Sequence, residues 1–220
     1  MDIDFSTLSE HECYKLMASL IVPRPIALVT TVSASGVVNA APFSMFNMLG
    51  EDPPILMLSI NKLKDGHLKD TAANILANDE FVVHIADEAM AEQMHRCGQS
   101  LPPDESELQR FGLTSCPSRA VRPPYIAQAP VAFECVLAER LETSSRHIFI
   151  GRVLWLHARD GLIDIERCRV RLQDYFPVAR FGASFYIRTR DRFAMPEEGG
   201  EVLSTAIDEI RWLAYWMPQP

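Results

Sequence analysis

Short apolar runs alternate with turn-forming residues along this chain, and the period of each run assigns its element. Ile26 to Val32 is a β-branched stretch launched by Pro23-Arg24-Pro25, whose prolines force an extended approach. Ser33-Ala34-Ser35-Gly36 supplies a turn, and Val37 to Ala41 reads as the returning strand of a hairpin. Pro54 to Ile60 is almost wholly apolar, the pattern of a strand covered on both faces. Leu68, Ala72, Ile75 and Leu76 fall on one helical stripe that the polar pair Asn78-Asp79 ends. Glu80 to Ala86 is again a strand, and Glu88 to Cys97 reads as a helix stopped by Gly98.

Beyond Gly98 the pattern breaks. Pro102, Pro103, Pro117, Pro123, Pro124 and Pro130 punctuate a long connection holding one short helix near Glu105 to Phe111. Connections of that length either cover a site or partner surface, or form a proline-stiffened excursion. Period two then returns. Val131, Phe133, Cys135, Leu137 and Leu141 share one face of a strand, with Glu134, Arg140 and Glu142 on the other. His147 to His157 follows after the turn Thr143-Ser144-Ser145-Arg146. Leu203 to Trp216 has helical spacing and is expected to dock on the body or on a second subunit. Strands outnumber helices, and closure removes sheet edges, so the expected architecture is mainly β. It is a closed or partly closed antiparallel barrel with peripheral helices. Residues 1–15 are expected as an arm, 16–192 as the barrel domain and 193–220 as a tail and helix.

Charge narrows the function. The 220 residues carry 21 basic and 29 acidic side chains, a formal net charge of −8. That is the wrong sign for a global nucleic-acid or anionic-membrane binder. The amino terminus lacks a secretory pattern and no run reaches the ~20 apolar residues of a membrane helix, so the expectation is cytoplasmic. Five scattered cysteines without a C-x-x-C suit a reducing compartment and argue against a metal site. No Rossmann fingerprint, phosphate loop, nucleophile elbow or H-E-x-x-H motif occurs.

Two local features carry chemistry. Only four lysines occur, and Lys62, Lys64 and Lys69 lie within eight residues, just ahead of the helix that carries Asp70-Thr71. A helix start presents free N–H groups, so added cations and a hydroxyl make an anion site suited to a phosphate. The bland alternative is a solvated lysine loop. The second feature, Asn39-Ala40-Ala41-Pro42-Phe43-Ser44-Met45-Phe46-Asn47, gathers amides, a hydroxyl and aromatics just past a strand. It can line a planar polar ring, or simply shape a turn.

Pro23-Arg24-Pro25-Ile26-Ala27, Thr30-Thr31, Asn39 to Ser44, Asp52-Pro53-Pro54, Lys69-Asp70-Thr71 and Asn74 occur in that order. In this the chain resembles the flavin reductase-like, FMN-binding split-barrel family, which includes flavoredoxin and the reductase components of two-component monooxygenases. The likeness spans roughly Leu16 to Tyr186. It implies FMN held non-covalently on a six-stranded antiparallel split barrel, usually a homodimer. It further implies hydride transfer from NADH or NADPH, with an oxygenase or another electron acceptor as partner. An FMN electron carrier that never meets a nicotinamide nucleotide is the alternative.

By position, Thr30 and Thr31 would line the flavin. Asn39, Ala41, Pro42, Ser44 and Asn47 would contact its ring and ribityl chain. Ser59, Lys69, Asp70 and Thr71 would hold its phosphate, and His147 would be the catalytic side chain. Two departures stand out. Arg146 occupies the place of the family's Asp, which removes the carboxylate that orients His147. The ending around Arg180 and Tyr186 follows the family pattern only loosely.

Overall fold

The computed structural model describes residues 1–63, 65–102 and 104–193; the expected C-terminal helix at 203–216 lies outside them. Met1–Arg188 forms one compact body. Thr189–Phe193 belongs to a second unit, in which Arg192 Nε donates to the Thr189 carbonyl (2.6 Å).

After a short 3-10 turn at Phe5–Thr7, helix α1 spans Glu10–Leu20. Ser9 starts it through a capping box with Glu12, in which each side chain reaches the other's backbone N–H. The sequence pattern hides this helix because only Ala18 is buried on it. Its final carbonyls, Ala18 and Ile21, accept from the guanidinium of Arg24. Arg24–Pro25 (β1) leads to β2 (Ala27–Val32), β3 (Val38–Phe43), β4 (Phe46–Glu51) and β5 (Pro54–Asn61). Helix α2 (Asp70–Asn78), β6 (Glu80–Ile85) and α3 (Ala91–Arg96) follow. The proline-rich connection holds α4 (Glu107–Arg110) and a two-residue pair, β7 (Ser115–Cys116) with β8 (Tyr125–Ile126). The long hairpin β9 (Val131–Glu142) and β10 (Arg146–Ala158) comes next. A small β11–β12 hairpin (Ile163–Asp164, Arg169–Val170) precedes β13 (Val178–Arg180) and β14 (Tyr186–Arg188), which form a separate sheet with β1.

The main sheet has seven strands in the order β3-β2-β6-β9-β10-β5-β4, every pair antiparallel. Its two ends, β3 and β4, are consecutive in the chain and joined only by Ser44-Met45. The Ser59 N–H donates to the Met45 carbonyl (2.8 Å) at that join, so the sheet closes on itself. The antiparallel split barrel expected from the sequence is the fold observed. Here the strand read at Val37 to Ala41 runs on to Phe43, and β4 lies where a turn was an equally good reading.

Inside the barrel Val29, Leu58, Ile75, Phe81 and Phe149 are fully buried. Gly151 is required there: a Cβ on it would stand 2.4 Å from the Phe81 ring. A second apolar cluster, with Leu28, Met90, Met94 and Ile126, covers the outer face of β2 and β3. Part of that cover is the proline-rich connection, which is therefore built into the fold. Thr30 donates to the Pro124 carbonyl (2.6 Å), and the His84 ring joins the Leu28 carbonyl (2.8 Å) to the Ile126 N–H (2.9 Å).

The alternation expected for β9 fails at both ends. Leu141 is exposed, and Glu134, read as solvent-facing, is fully buried. Register shifts in the β9–β10 pair and the cover from the connection explain both. Glu134 accepts from the N–H groups of Arg119 (2.7 Å) and Ala120 (2.6 Å) and meets His157 Nε2 at 2.5 Å.

Candidate functional site

Three side chains converge beside the start of α2. Lys69 is its N-cap residue and no side chain caps the first turn, so the positive end of the helix faces outward. From β10, Arg146 lies against Ser59 of β5, its Nη1 3.4 Å from the carbonyl and 3.5 Å from Oγ. Burial and the nearby Arg146 charge push the Lys69 ammonium below the ordinary lysine value. Among the described residues neither cation has a carboxylate within 4.0 Å. Two half-buried like charges that feel one another beside a helix N-terminus and a hydroxyl can supply the donors that a phosphate dianion needs.

Not every residue expected at this site points into it. Thr71 is buried and its hydroxyl accepts from Asn39 Nδ2 (2.9 Å), while Thr31 Oγ1 accepts from Asn74 Nδ2 (3.0 Å). These four side chains form a buried polar network tying α2 to β2 and β3. Thr30 faces the opposite side of its strand and anchors the proline-rich connection. Asp70 is exposed and lines a separate cleft of about 160 Å³ with Asn39, Glu105 and Glu107. Glu107, from that cleft, accepts the Ala40 N–H (2.8 Å) at the barrel edge, and burial raises its carboxyl above the ordinary value.

The ring-contact candidates run along the bend between β3 and β4. Ala41, Pro42 and Ser44 are half-buried, and Ser44 Oγ accepts from Arg24 Nε (3.4 Å). Asn47 is exposed, with its Oδ1 taken by the Met48 N–H (2.9 Å). Lys69 Nζ stands 5.8 Å from the Phe43 ring centre, so the phosphate-type donor set and this bend are neighbours.

His147 is buried, its ring nearly parallel to that of Phe149. A carboxylate does stand near His147: Glu142 Oε1 lies 3.8 Å from Nε2, beyond hydrogen-bond reach, and accepts from Lys62 Nζ (2.7 Å). Glu142 is the register partner of His147 across the β9–β10 turn. The four-residue turn Thr143 to Arg146 held that signal, since residues flanking a hairpin turn face each other. Tyr186, in turn, meets His95 Nδ1 (2.9 Å) and lies under the Arg180 guanidinium. Among the described residues no three potential metal ligands converge, and no helix is long and apolar enough to cross a membrane.

A closed antiparallel barrel with an anion cradle at one end defines a class of small cofactor-binding β proteins. Residues 17–170 match the family described as "Flavin reductase like domain", and the chain belongs to that family. The uncharacterized protein YwrF of Bacillus subtilis is 40% identical over 194 residues, 86% of this chain and 94% of its own. Among solved structures, 2-nitrobenzoate 2-nitroreductase NbaA of Pseudomonas fluorescens is 35% identical, with a TM-score of 0.83. It covers 93% of this chain and 100% of its own. Nitrilotriacetate monooxygenase component B of Bacillus cereus is 32% identical, also with a TM-score of 0.83, covering 89% and 98%.

Proposed function

We propose that this chain binds FMN and is an NAD(P)H-dependent flavin reductase that hands electrons to a flavin, an oxygenase partner or another acceptor. The observation that carries the reading is Lys69, with no carboxylate near it, at the uncapped start of α2 in a chain of the flavin reductase-like family. Bound FMN supplies the redox chemistry, taking hydride from a dihydronicotinamide and releasing two electrons to the acceptor. The chain supplies position and field. Lys69, Ser59 and the N–H groups at Asp70 and Thr71 hold the phosphate. Ala41, Pro42, Ser44 and Asn47 line the ring from the β3–β4 bend. The network of Thr31, Asn39, Thr71 and Asn74 keeps α2 and the strands in register, so the phosphate and ring positions stay a fixed distance apart. His147, the register partner of Glu142, is the catalytic side chain of this reading.

The working unit is a homodimer in the cytoplasm. Exposed Met48 and Leu49 on β4, and exposed Leu154, Trp155 and Leu156 on β10, which β5 separates from β4, are apolar side chains available to a second copy. An anaerobic visible spectrum tests the reading. A flavin band that bleaches with NADH or NADPH supports the reductase and names its donor. A band that bleaches only with dithionite replaces it by an electron carrier. A protein that stays colourless after addition of FMN overturns the cofactor assignment.

A further inference from the structure

Arg146 is a half-buried cation with no carboxylate among its described partners, and its surroundings give it a task. It sits at the first position of β10, directly opposite Asn61 and diagonal to Ser59, with its guanidinium on Ser59 rather than on any carboxylate. The only carboxylate brought to this strand end among the described ion pairs, Glu142, is engaged by Lys62 at 2.7 Å. Arg146 also does not serve His147, which lies on the opposite face of the strand beside Phe149. A half-buried guanidinium next to a second cation is electrostatically unfavourable by itself. It is explained when a doubly charged anion sits between the two, since a planar fork and a point charge bind complementary oxygens of one phosphate.

We propose that Arg146 is the second cation of the flavin phosphate site and sets the preference of this chain for FMN over unphosphorylated riboflavin. The proposal rests on the flavin reading above. Lys69 neutralises one charge from the helix side, and Arg146 neutralises the other from the barrel wall, steadied by Ser59. Riboflavin shares the ring and ribityl chain but offers neither cation a partner, so it gains nothing from Arg146.

Quenching of flavin fluorescence, titrated with FMN and with riboflavin separately, tests this on the intact chain and on Arg146→Gln and Arg146→Lys. The expected result is a loss of at least tenfold in FMN affinity for Arg146→Gln, with riboflavin affinity unchanged within twofold. Arg146→Lys should recover most of the loss, and a thermal melt without flavin should be close to that of the parent. Equal losses for FMN and riboflavin, or unchanged FMN affinity in Arg146→Gln, would overturn the role of Arg146 while leaving the flavin reading standing. A misfolded Arg146→Gln transfers the decision to Arg146→Lys: an FMN-to-riboflavin affinity ratio below one in that variant sinks the proposal, and a ratio above ten upholds it. If the parent binds neither flavin, the failure belongs to the cofactor reading itself.

Discussion

Two ends of strand β10 treat charge in opposite ways. At its far end His157 meets Glu134, a fully buried carboxylate with two backbone N–H groups of the proline-rich connection also donating to it. Burial alone would raise that carboxyl, yet the Arg119 N–H, the His157 bond and the Ala120 N–H hold it below the ordinary glutamate value. At the near end Arg146 and Lys69 repel one another and burial depresses the lysine. One region is an internally complete polar network, with Tyr125 stacked 4.0 Å above His157 to seal it. The other is half of a network. A complete set of partners marks structure, whereas an incomplete set next to a helix N-terminus marks a place prepared for something that arrives from outside.

The contrast breaks most visibly at Glu134. Glu134→Ala removes a fully buried carboxylate and leaves two part-buried N–H donors and the His157 ring without their acceptor, and should cost about 3–5 kcal/mol in urea unfolding. A cost under ~1 kcal/mol would mean that the connection is not clamped there. Acid sharpens the same region through His84, which burial lowers from 6.5 to about 4. The unfolded chain takes up the imidazole proton below about 6.5, whereas the folded protein resists until about 4. Stability therefore falls as pH drops through that window, by on the order of 3 kcal/mol, and this contribution levels off below it. Replacing His84 with Gln should flatten that part of the pH profile; an unchanged slope would place the effect elsewhere. The smallest effect on stability belongs to the incomplete end. Lys69→Gln should change unfolding free energy by less than about 1 kcal/mol in the absence of flavin, because the cation has no carboxylate partner to lose and stands 5.8 Å from the Phe43 ring centre. A loss of several kcal/mol would show that Lys69 is structural after all.

Legibility in the sequence followed the same division. Strands β2, β3, β5 and β6 and helix α2 were readable because their apolar periods match their burial, and the place of Lys69 at the start of a helix was readable from its spacing. Glu134 was not. Alternation assigned it to solvent, but register shifts and a covering loop from residues 118–124 buried it, and neither is encoded in a period of two. Thr30 and Thr31 looked like a pair, yet adjacent strand residues face opposite sides, so only Thr31 joins α2. Asp70 looked like part of the anion site from adjacency alone, and its side chain lines the acidic cleft instead. The approach of Glu142 to His147 was not legible either, since the hairpin that sets them opposite one another is a tertiary fact.

The most direct test of the central claim is the phosphorus-31 resonance of FMN bound to this protein, followed from pH 8 to pH 5. A phosphate monoester loses its second proton near pH 6 in water. Clasped between Lys69, Arg146 and the start of α2, the bound phosphate should remain a dianion, with a resonance that does not move across that range. A bound resonance that titrates near pH 6, as the free cofactor does, would contradict the account, because the phosphate would then lie in solvent and not between the two cations.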